Sequence, residues 1–376
     1  MSSRSRDYID LTLIVVLTPK VPLSKWKELG MFEREVSLYT HIATQVKRVI
    51  FINDSDNDES EIFNAYENIE VWQKSKLYYH LRQHQELENI NEHVIIKTNQ
   101  TKSALTALYL KWYLNKPLIA RGGYQLSDFA KRRKDLNIFK KIFYIFTSII
   151  IEKFLFNFAD SIIVTTNEAL NYVSKWHKVR SEIFVIPNYV DIQTFKPIRK
   201  TKKYDIICVG RLSIQKNHLH LFNVAYGTNY TIALVGNGEE KNRLEEKAKE
   251  MALNVTFLGQ LNSEELPSIL NEAKIFALCS DFEGDPKTLI EAMSCGLPTL
   301  TKMSQGCLEI VGASNSGIST NDINEARDWL DEVFNSPEKY DGHSHASRNY
   351  ITKERSLERI AYLEMRLYEN ILKMVT

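Results

Sequence analysis

Two glutamates, Glu283 and Glu291, stand eight residues apart in the run FEGDPKTLIEAMSCGLP from Phe282 to Pro298. The apolar run Ile275 to Cys279 ahead of them reads as a buried strand. The spacing predicts a helix from Asp285 and Pro286, with Asp as N-cap and Pro at the first helical position, closed by Gly296 and Pro298. One carboxylate then lies in a loop after a strand and the other in the first two turns of the next helix. Ligands of open α/β sheets bind in the crevice outside the carboxyl ends of the strands, where two carboxylates suit the hydroxyls of a sugar or a ribose. The plain alternative is a solvated acidic loop, because acidic residues near helix N-termini are favoured anyway.

A second constellation precedes it. Gly210, Arg211 and Lys216 follow the apolar run Ile206 to Val209, again in the order strand, glycine turn, helix. Unpaired backbone N–H groups and the helix dipole favour an anion at such a place. Arg offers a planar fork to phosphate oxygens and Lys a point charge. Two solvated surface cations would be the bland reading.

The elements that must position these groups are short apolar runs alternating with helical stretches. Strands are expected at Leu11–Leu17, Val49–Ile52, His93–Lys97, Pro117–Ala120, Ser161–Thr165 and Ile183–Ile186, then at Asp205–Val209, Thr231–Val235, Val255–Leu258, Ile275–Leu278 and Pro298–Leu300. That pattern implies α/β architecture with parallel sheets covered on both faces. A length of 376 residues implies two domains. The charged stretch Phe195 to Lys203, which carries Pro197, is the expected junction. Domains are therefore expected at 1–197 and 198–351. A net charge of +1 argues against a nucleic-acid partner. The four cysteines form no C-x2-C pair, so neither zinc nor a disulfide framework is expected and a reducing cytoplasm is. Arg4, Arg6, Asp7 and Asp10 precede only a short apolar run, so no secretory signal is expected.

The motifs IFVIPNYVD (Ile183 to Asp191), VGRLSIQKN, ALVGNGEE (Ala233 to Glu240), VTFLGQL (Val255 to Leu261) and the paired glutamates resemble, in that order, the C-terminal half of the retaining GT-B enzymes called glycosyl transferases group 1. The resemblance runs from Ile183 to about Gly317. It implies two Rossmann-like domains with parallel sheets facing a central cleft, and a last helix, 352–376, that crosses back to the N-terminal domain. It implies that Arg211 and Lys216 hold the diphosphate of a nucleotide-sugar donor, with Gly210 in the turn, that Glu291 holds the ribose and that Glu283 contacts the sugar. Relatives often carry Phe where this chain has Asp285. Backbone amides of Asp285, Lys287 and Thr288 are placed to meet donor oxygens; Pro286 has none to give.

The acceptor side is expected in the first domain. Gly30 lies in a loop after the first strand, Asn99 follows His93–Lys97, and Arg121-Gly122-Gly123-Tyr124 ends the run KPLIA. Glycine there lets a ligand approach the backbone closely, and turn residues are the simpler account of Gly30 and Asn99. Relatives place a His near Arg121. Between Lys131 and Lys141 six basic residues face one acid, Asp135, ahead of an aromatic-rich helix reaching Phe156. A basic, aromatic amphipathic helix reads as contact with an anionic membrane surface, and a core helix with a solvated basic start is the alternative.

The resemblance thus implies transfer of a hexose or N-acetylhexosamine from a nucleotide diphosphate sugar to a glycan, lipid-linked in many relatives, for cell-surface polysaccharide. It implies a front-face mechanism with no covalent nucleophile. No cofactor is expected. The only Asp-x-Asp run, Asp54 to Asp58, sits in an acidic stretch far from the donor motifs, so no metal is expected either. An epimerase or phosphorylase of the same fold and a non-catalytic nucleotide-sugar binder are the other readings. An NAD enzyme fits poorly, since Gly236-Asn237-Gly238 lacks the third glycine of the dinucleotide fingerprint.

Overall fold

The structure is a computed structural model; it describes residues 9–89, 92–123, 125–132, 137–177 and 179–375. Arg4, Arg6, Asp7, Tyr124, Arg133, Lys134 and Asp135 lie outside the described residues. The contacts divide the chain into two units, Met1–Pro187 with Ile360–Thr376, and Asn188–Arg359.

Among the described residues unit 1 has seven strands: β1 (Ile9–Val16), β2 (Val46–Asn53), β3 (Ile69–Gln73), β4 (Val94–Thr98), β5 (Leu118–Gly122), β6 (Ser161–Val164) and β7 (Glu182–Val185). They lie in the order β3-β2-β1-β4-β5-β6-β7, all parallel. Unit 2 has six: β8 (Tyr204–Val209), β9 (Thr231–Val235), β10 (Asn254–Gly259), β11 (Ala273–Leu278), β12 (Thr299–Thr301) and β13 (Gly317–Ser319). Their order is β10-β9-β8-β11-β12-β13, again all parallel. The central strands are runs of Val, Ile and Leu buried on both faces, as a parallel sheet sandwiched between helices requires. In each sheet the winding reverses once, between β1 and β4 and between β8 and β11. The loops leaving those neighbours diverge and open a crevice at the strand ends.

Eleven strands fall where the apolar runs place them, with ends shifted by at most three residues. The two others are edge strands. β3 reads IEVWQ, broken by a charge, and β13 is only three residues long. Neither needs the continuous apolar run that betrays a central strand. The charged stretch from Phe195 lies inside unit 2, since the chain passes between units at Pro187 and Asn188. Phe195 is buried in the unit 2 core, and the Asn271 side chain fastens the stretch by donating to the Lys196 carbonyl (3.0 Å) and accepting from the Ile198 N–H (2.7 Å).

The closing helix spans Leu357–Val375, five residues later than its apolar periodicity from Thr352 suggests. Ile351–Arg355 form a π-type turn instead. Ser356 is extended and bridges to Val190, whose N–H donates to the Arg355 carbonyl and whose carbonyl accepts from Leu357 N–H. From Ile360 the helix belongs to unit 1. Its inner stripe, Ile360, Ala361, Met365, Tyr368 and Ile371, includes a carboxylate, Glu364. Glu364 pairs with the fully buried ammonium of Lys97 on β4, which also donates to the Tyr368 hydroxyl at 3.3 Å and lies 5.1 Å from the Tyr39 ring centroid. Burial lowers the Lys97 pKa to about 8, against the pull of Glu364 and with the push of Arg121. Burial works to raise the Glu364 carboxyl, yet Lys97 and Arg121 hold it below its ordinary value.

Removing one partner of a buried pair leaves an uncompensated charge. Glu364→Ala should therefore cost unit 1 about 3–5 kcal/mol of stability. Lys97→Met with Glu364→Leu should recover most of it. Denaturant unfolding of the two variants checks this; equal loss in both would show that the charge is not the cause.

Candidate functional site

In unit 2 the two constellations meet at the reversal between β8 and β11. After β8 the chain turns at Gly210, forms a short 3-10 turn at Ile214–Lys216, passes Asn217 in the left-handed region (φ 46°) and enters the helix His218–Ala225. After β11 it runs through Asp281 to Pro286 into the helix Lys287–Ser294. The two loops are laced together. Asp281 N–H donates to the Gln215 carbonyl (2.9 Å), the Gln215 amide to the Phe282 carbonyl (3.0 Å), and the Asn217 amide to the Asp281 carboxylate (2.8 Å). The Lys216 ammonium reaches Glu283 Oε1 at 2.6 Å. Both side chains are largely shielded, 20% and 11% exposed, so water weakens the attraction less than on an open surface.

Close backbone packing sets this geometry. A Cβ on Gly236 would fall 2.0 Å from the Gly210 carbonyl oxygen. Glycine there lets the turn after β9 press on the turn after β8, where Leu212 N–H donates to the Asn237 carbonyl. Gly236 therefore serves loop-to-loop packing. A Cβ on Gly306 would fall 1.7 Å from the Gly284 carbonyl oxygen, so the helix Gln305–Ser314 abuts the Glu283 loop directly.

Of the donor-side residues read from sequence, Gly210, Lys216 and Glu283 come together. The Arg211 side chain is exposed. Glu291 is buried just over one turn into the helix Lys287–Ser294, which Lys287 and Thr288 open. Asp285 is not the helix cap: the N-cap is Pro286, without a side-chain bond. The Asp285 carboxylate is buried and takes both oxygens to one Arg355 nitrogen, Nη1, at 2.8 and 3.0 Å. It also accepts from Asn188 N–H at 2.6 Å, and the Asn188 amide returns a bond to the Asp285 carbonyl at 2.8 Å. Asp285 thus ties the loop to Asn188 and Arg355, beside the two points where the chain passes between units.

Sequence reasoning missed three groups here. Lys302, just past β12, donates to Asp281 at 2.6 Å and adds a second ammonium at the strand ends. Gln215 fixes the Phe282 carbonyl. His218 is buried with Nδ1 unpartnered; burial, then the Lys216 charge, pushes its pKa down to about 4, so the ring is neutral at pH 7. A polar residue directly after an apolar strand is the signal that marks Lys302. Burial pushes the thiols of Cys208, Cys295 and Cys307 up to about 12, which keeps them protonated and poor nucleophiles. Among the described residues no cluster of three His, Cys, Asp or Glu side chains forms a metal site.

In unit 1 the carboxyl ends of β4 and β5 are joined. The Thr98 hydroxyl accepts from Arg121 N–H (2.8 Å) and donates to its carbonyl (3.1 Å). Arg121 is buried, with Nη1 3.4 Å from the Asn99 carbonyl. Gly123 N–H donates to the Gln100 amide oxygen at 3.1 Å. Asn99, Arg121, Gly122 and Gly123 therefore gather at one sheet end. A helix, Leu23–Glu28, intervenes after β1, and Gly30 (φ 63°) closes it: Gly30 N–H bonds the Lys27 carbonyl and Met31 N–H the Trp26 carbonyl. That is a Schellman cap. Tyr124 is outside the described residues.

Residues 190–350 match the family described as Glycosyl transferases group 1. Unit 2 is a group 1 glycosyltransferase domain. The chain is 26% identical over 156 residues to an amylovoran biosynthesis glycosyltransferase of Erwinia amylovora, covering 39% of this chain and 44% of that protein. It is 31% identical over 142 residues to an O-antigen biosynthesis glycosyltransferase of Escherichia coli, covering 38% and 40%. These matches span less than half the length of either relative. Among solved structures, a sucrose-phosphate synthase from Thermosynechococcus elongatus superposes with a TM-score of 0.74 at 17% identity, covering 96% of this chain and all of that one. HepE of Anabaena, in complex with UDP and glucose, gives 0.70 at 15% identity, covering 95% and 99%. The group 1 glycosyltransferase domain therefore sits in a chain of GT-B fold, with two parallel-sheet, Rossmann-like units.

The Asp285 clamp should carry stability as well as loop position. Arg355→Ala, which leaves the Asp285 carboxylate buried without its guanidinium, should cost unit 2 about 3–5 kcal/mol. Calorimetric melting checks this; a wild-type melting profile in Arg355→Ala would show that the contact contributes nothing.

Proposed function

We propose that this chain transfers a hexose or N-acetylhexosamine from a nucleoside diphosphate sugar to a glycan, lipid-linked or free, during assembly of cell-surface polysaccharide. The observation that carries the reading is the Lys216–Glu283 contact of 2.6 Å at the β8/β11 reversal of a group 1 domain. An ammonium and a carboxylate side by side at that crevice match the two halves of a sugar nucleotide. The diphosphate needs cations, and the sugar hydroxyls need acceptors. Two relatives named for amylovoran and O-antigen biosynthesis support the polysaccharide context, and HepE, of like fold, holds UDP and glucose.

In this reading Lys216 leaves Glu283 when the diphosphate arrives, and Glu283 is freed for the sugar hydroxyls. Arg211, which is exposed, folds onto the same phosphates. Gly210 leaves room beside the Lys216 stem, and the N–H groups at Asp285, Lys287 and Thr288 face the donor. Glu291 takes the ribose. The anomeric C–O bond breaks toward the diphosphate, whose leaving oxygen accepts the proton of the incoming acceptor hydroxyl on the same face. The new bond therefore keeps the anomeric configuration. Lys216 and Arg211 stabilise the charge that develops on the leaving group, so no metal is required. Asn99, Arg121, Gly122 and Gly123 are the acceptor-side candidates. The four free, buried cysteines suit a reducing cytoplasm.

Lys216→Ala and Arg211→Ala should each lower turnover by on the order of 10²-fold with the fold retained, and EDTA should leave the wild-type rate unchanged. The assay is product analysis over a panel of nucleoside diphosphate sugars with a glycan acceptor. Wild-type turnover in either folded variant would reject the assignment of the cations. Rate loss on chelation, restored by Mn²⁺, would reject the metal-free mechanism. Donor consumption without acceptor would point to an epimerase, and binding without any turnover to a non-catalytic module.

A further inference from the structure

The helix Ile138–Phe158 of unit 1 is turned inside out. Its inward stripe carries Ser148, Glu152, Leu155 and Phe156. The Glu152 carboxylate is fully buried, where it accepts from Ser127 N–H (3.1 Å) and the Ser127 hydroxyl and lies 3.4 Å from His177 Nε2. The outward stripe carries Phe139, Ile142, Phe143, Phe146, Ile150 and Phe154, which are 39–82% exposed. Phe158 continues the stripe onto the helix Ala104–Leu114, where its ring lies 5.5 Å from that of Trp112. Trp112, Tyr109 and Leu105 fall on one face of that second helix and are all exposed. Contiguous apolar faces of this kind mark a surface that something else covers.

Charge says what covers it. Residues 131–158 hold seven Lys and Arg against two acids, in a chain whose net charge is +1. Lys131 and Arg132 end the helix Leu126–Arg132, Lys140 and Lys141 stand at the start of Ile138–Phe158, and Lys153 is exposed on it. No acid lies in its first turn, although the helix dipole favours acids there and disfavours cations. A second copy packed face to face would set this net-positive surface against itself. No helix among the described residues is long and apolar enough to cross a membrane. An amphipathic helix with an aromatic stripe and a basic fringe lies in the plane of the bilayer surface.

We infer that Ile138–Phe158, with Trp112 and Tyr109 beside it, docks unit 1 onto an anionic phospholipid surface. The aromatic stripe enters the acyl boundary, and the basic fringe meets the headgroup phosphates. This inference does not depend on the donor chemistry of unit 2.

Sedimentation of the full chain with vesicles tests it. Binding to phosphatidylglycerol-containing vesicles should exceed binding to neutral phosphatidylcholine by roughly tenfold or more, and fall as salt rises. Lys140→Glu with Lys141→Glu should erase the preference for anionic lipid. Phe143→Ser with Phe146→Ser should abolish binding to both vesicle types, with thermal melting and nucleoside diphosphate binding unchanged. Equal wild-type binding to neutral and anionic vesicles, or none to either, would overturn the proposal. So would a wild-type dimer in light scattering that the double Ser variant converts to monomer, since the face would then join two copies of the chain. Wild type that binds neither vesicle type yet turns over a soluble acceptor would remove the docking surface and leave the proposed activity standing.

Discussion

An ammonium 2.6 Å from a carboxylate, each on a different loop, organises unit 2. Neither loop could bring its charge there alone. Lys216 depends on the turn after β8, which is seated by the close approach of Gly236 to the Gly210 carbonyl. Glu283 depends on a loop held from three sides. Gln215 and Asn217 hold its start, Gly306 its middle, and Arg355 with Asn188 its end. The reversal of the winding between β8 and β11 then sets the loops side by side. In the proposed reading the pair is where the sheet becomes a chemical site, because opposite charges held close and partly shielded can exchange partners with a ligand that carries both phosphate and hydroxyls.

Unit 1 rests on a different pair. Lys97 at the end of β4 and Glu364 on the closing helix neutralise each other in the interior, and the Tyr368 hydroxyl shares the contact. Buried pairs add little net stability relative to an apolar core but impose a unique arrangement on the elements that carry them; we offer specificity of helix docking as the role of this one, with the variants of Lys97 and Glu364 as its test. The pair lies beside Arg121, whose positive charge both groups feel. The acceptor-side candidates therefore stand next to a rigid, charged support.

Much of this was legible in the sequence, and the failures have physical reasons. Central parallel strands are continuous apolar runs, so β1, β8 and β11 announce themselves, whereas the edge strand β3 carries Glu70 and escapes. Lys216 and Glu283 were readable because a residue placed just after a buried run must emerge at the strand end. Asp285 was misread because an Asp before a Pro is a good helix cap locally, while a long-range partner, Arg355, takes its carboxylate. Glu364 was passed over because a helical stripe is traced by its apolar members, although a charge on that stripe is itself a sign of a buried partner. The helix Leu23–Glu28, which Gly30 closes, was foretold by no apolar run.

The central claim is that Lys216 and Glu283 are the diphosphate and sugar ends of one donor site. Titration calorimetry of Glu283→Gln against wild type, with a nucleoside diphosphate and with the matching sugar nucleotide, tests it most directly. The account predicts that the free diphosphate binds the variant at least as tightly, since Lys216 is no longer held by a carboxylate, while the sugar nucleotide loses affinity. Glu291→Ala should weaken both ligands, because both contain the ribose. Equal weakening of both ligands by Glu283→Gln would contradict the account.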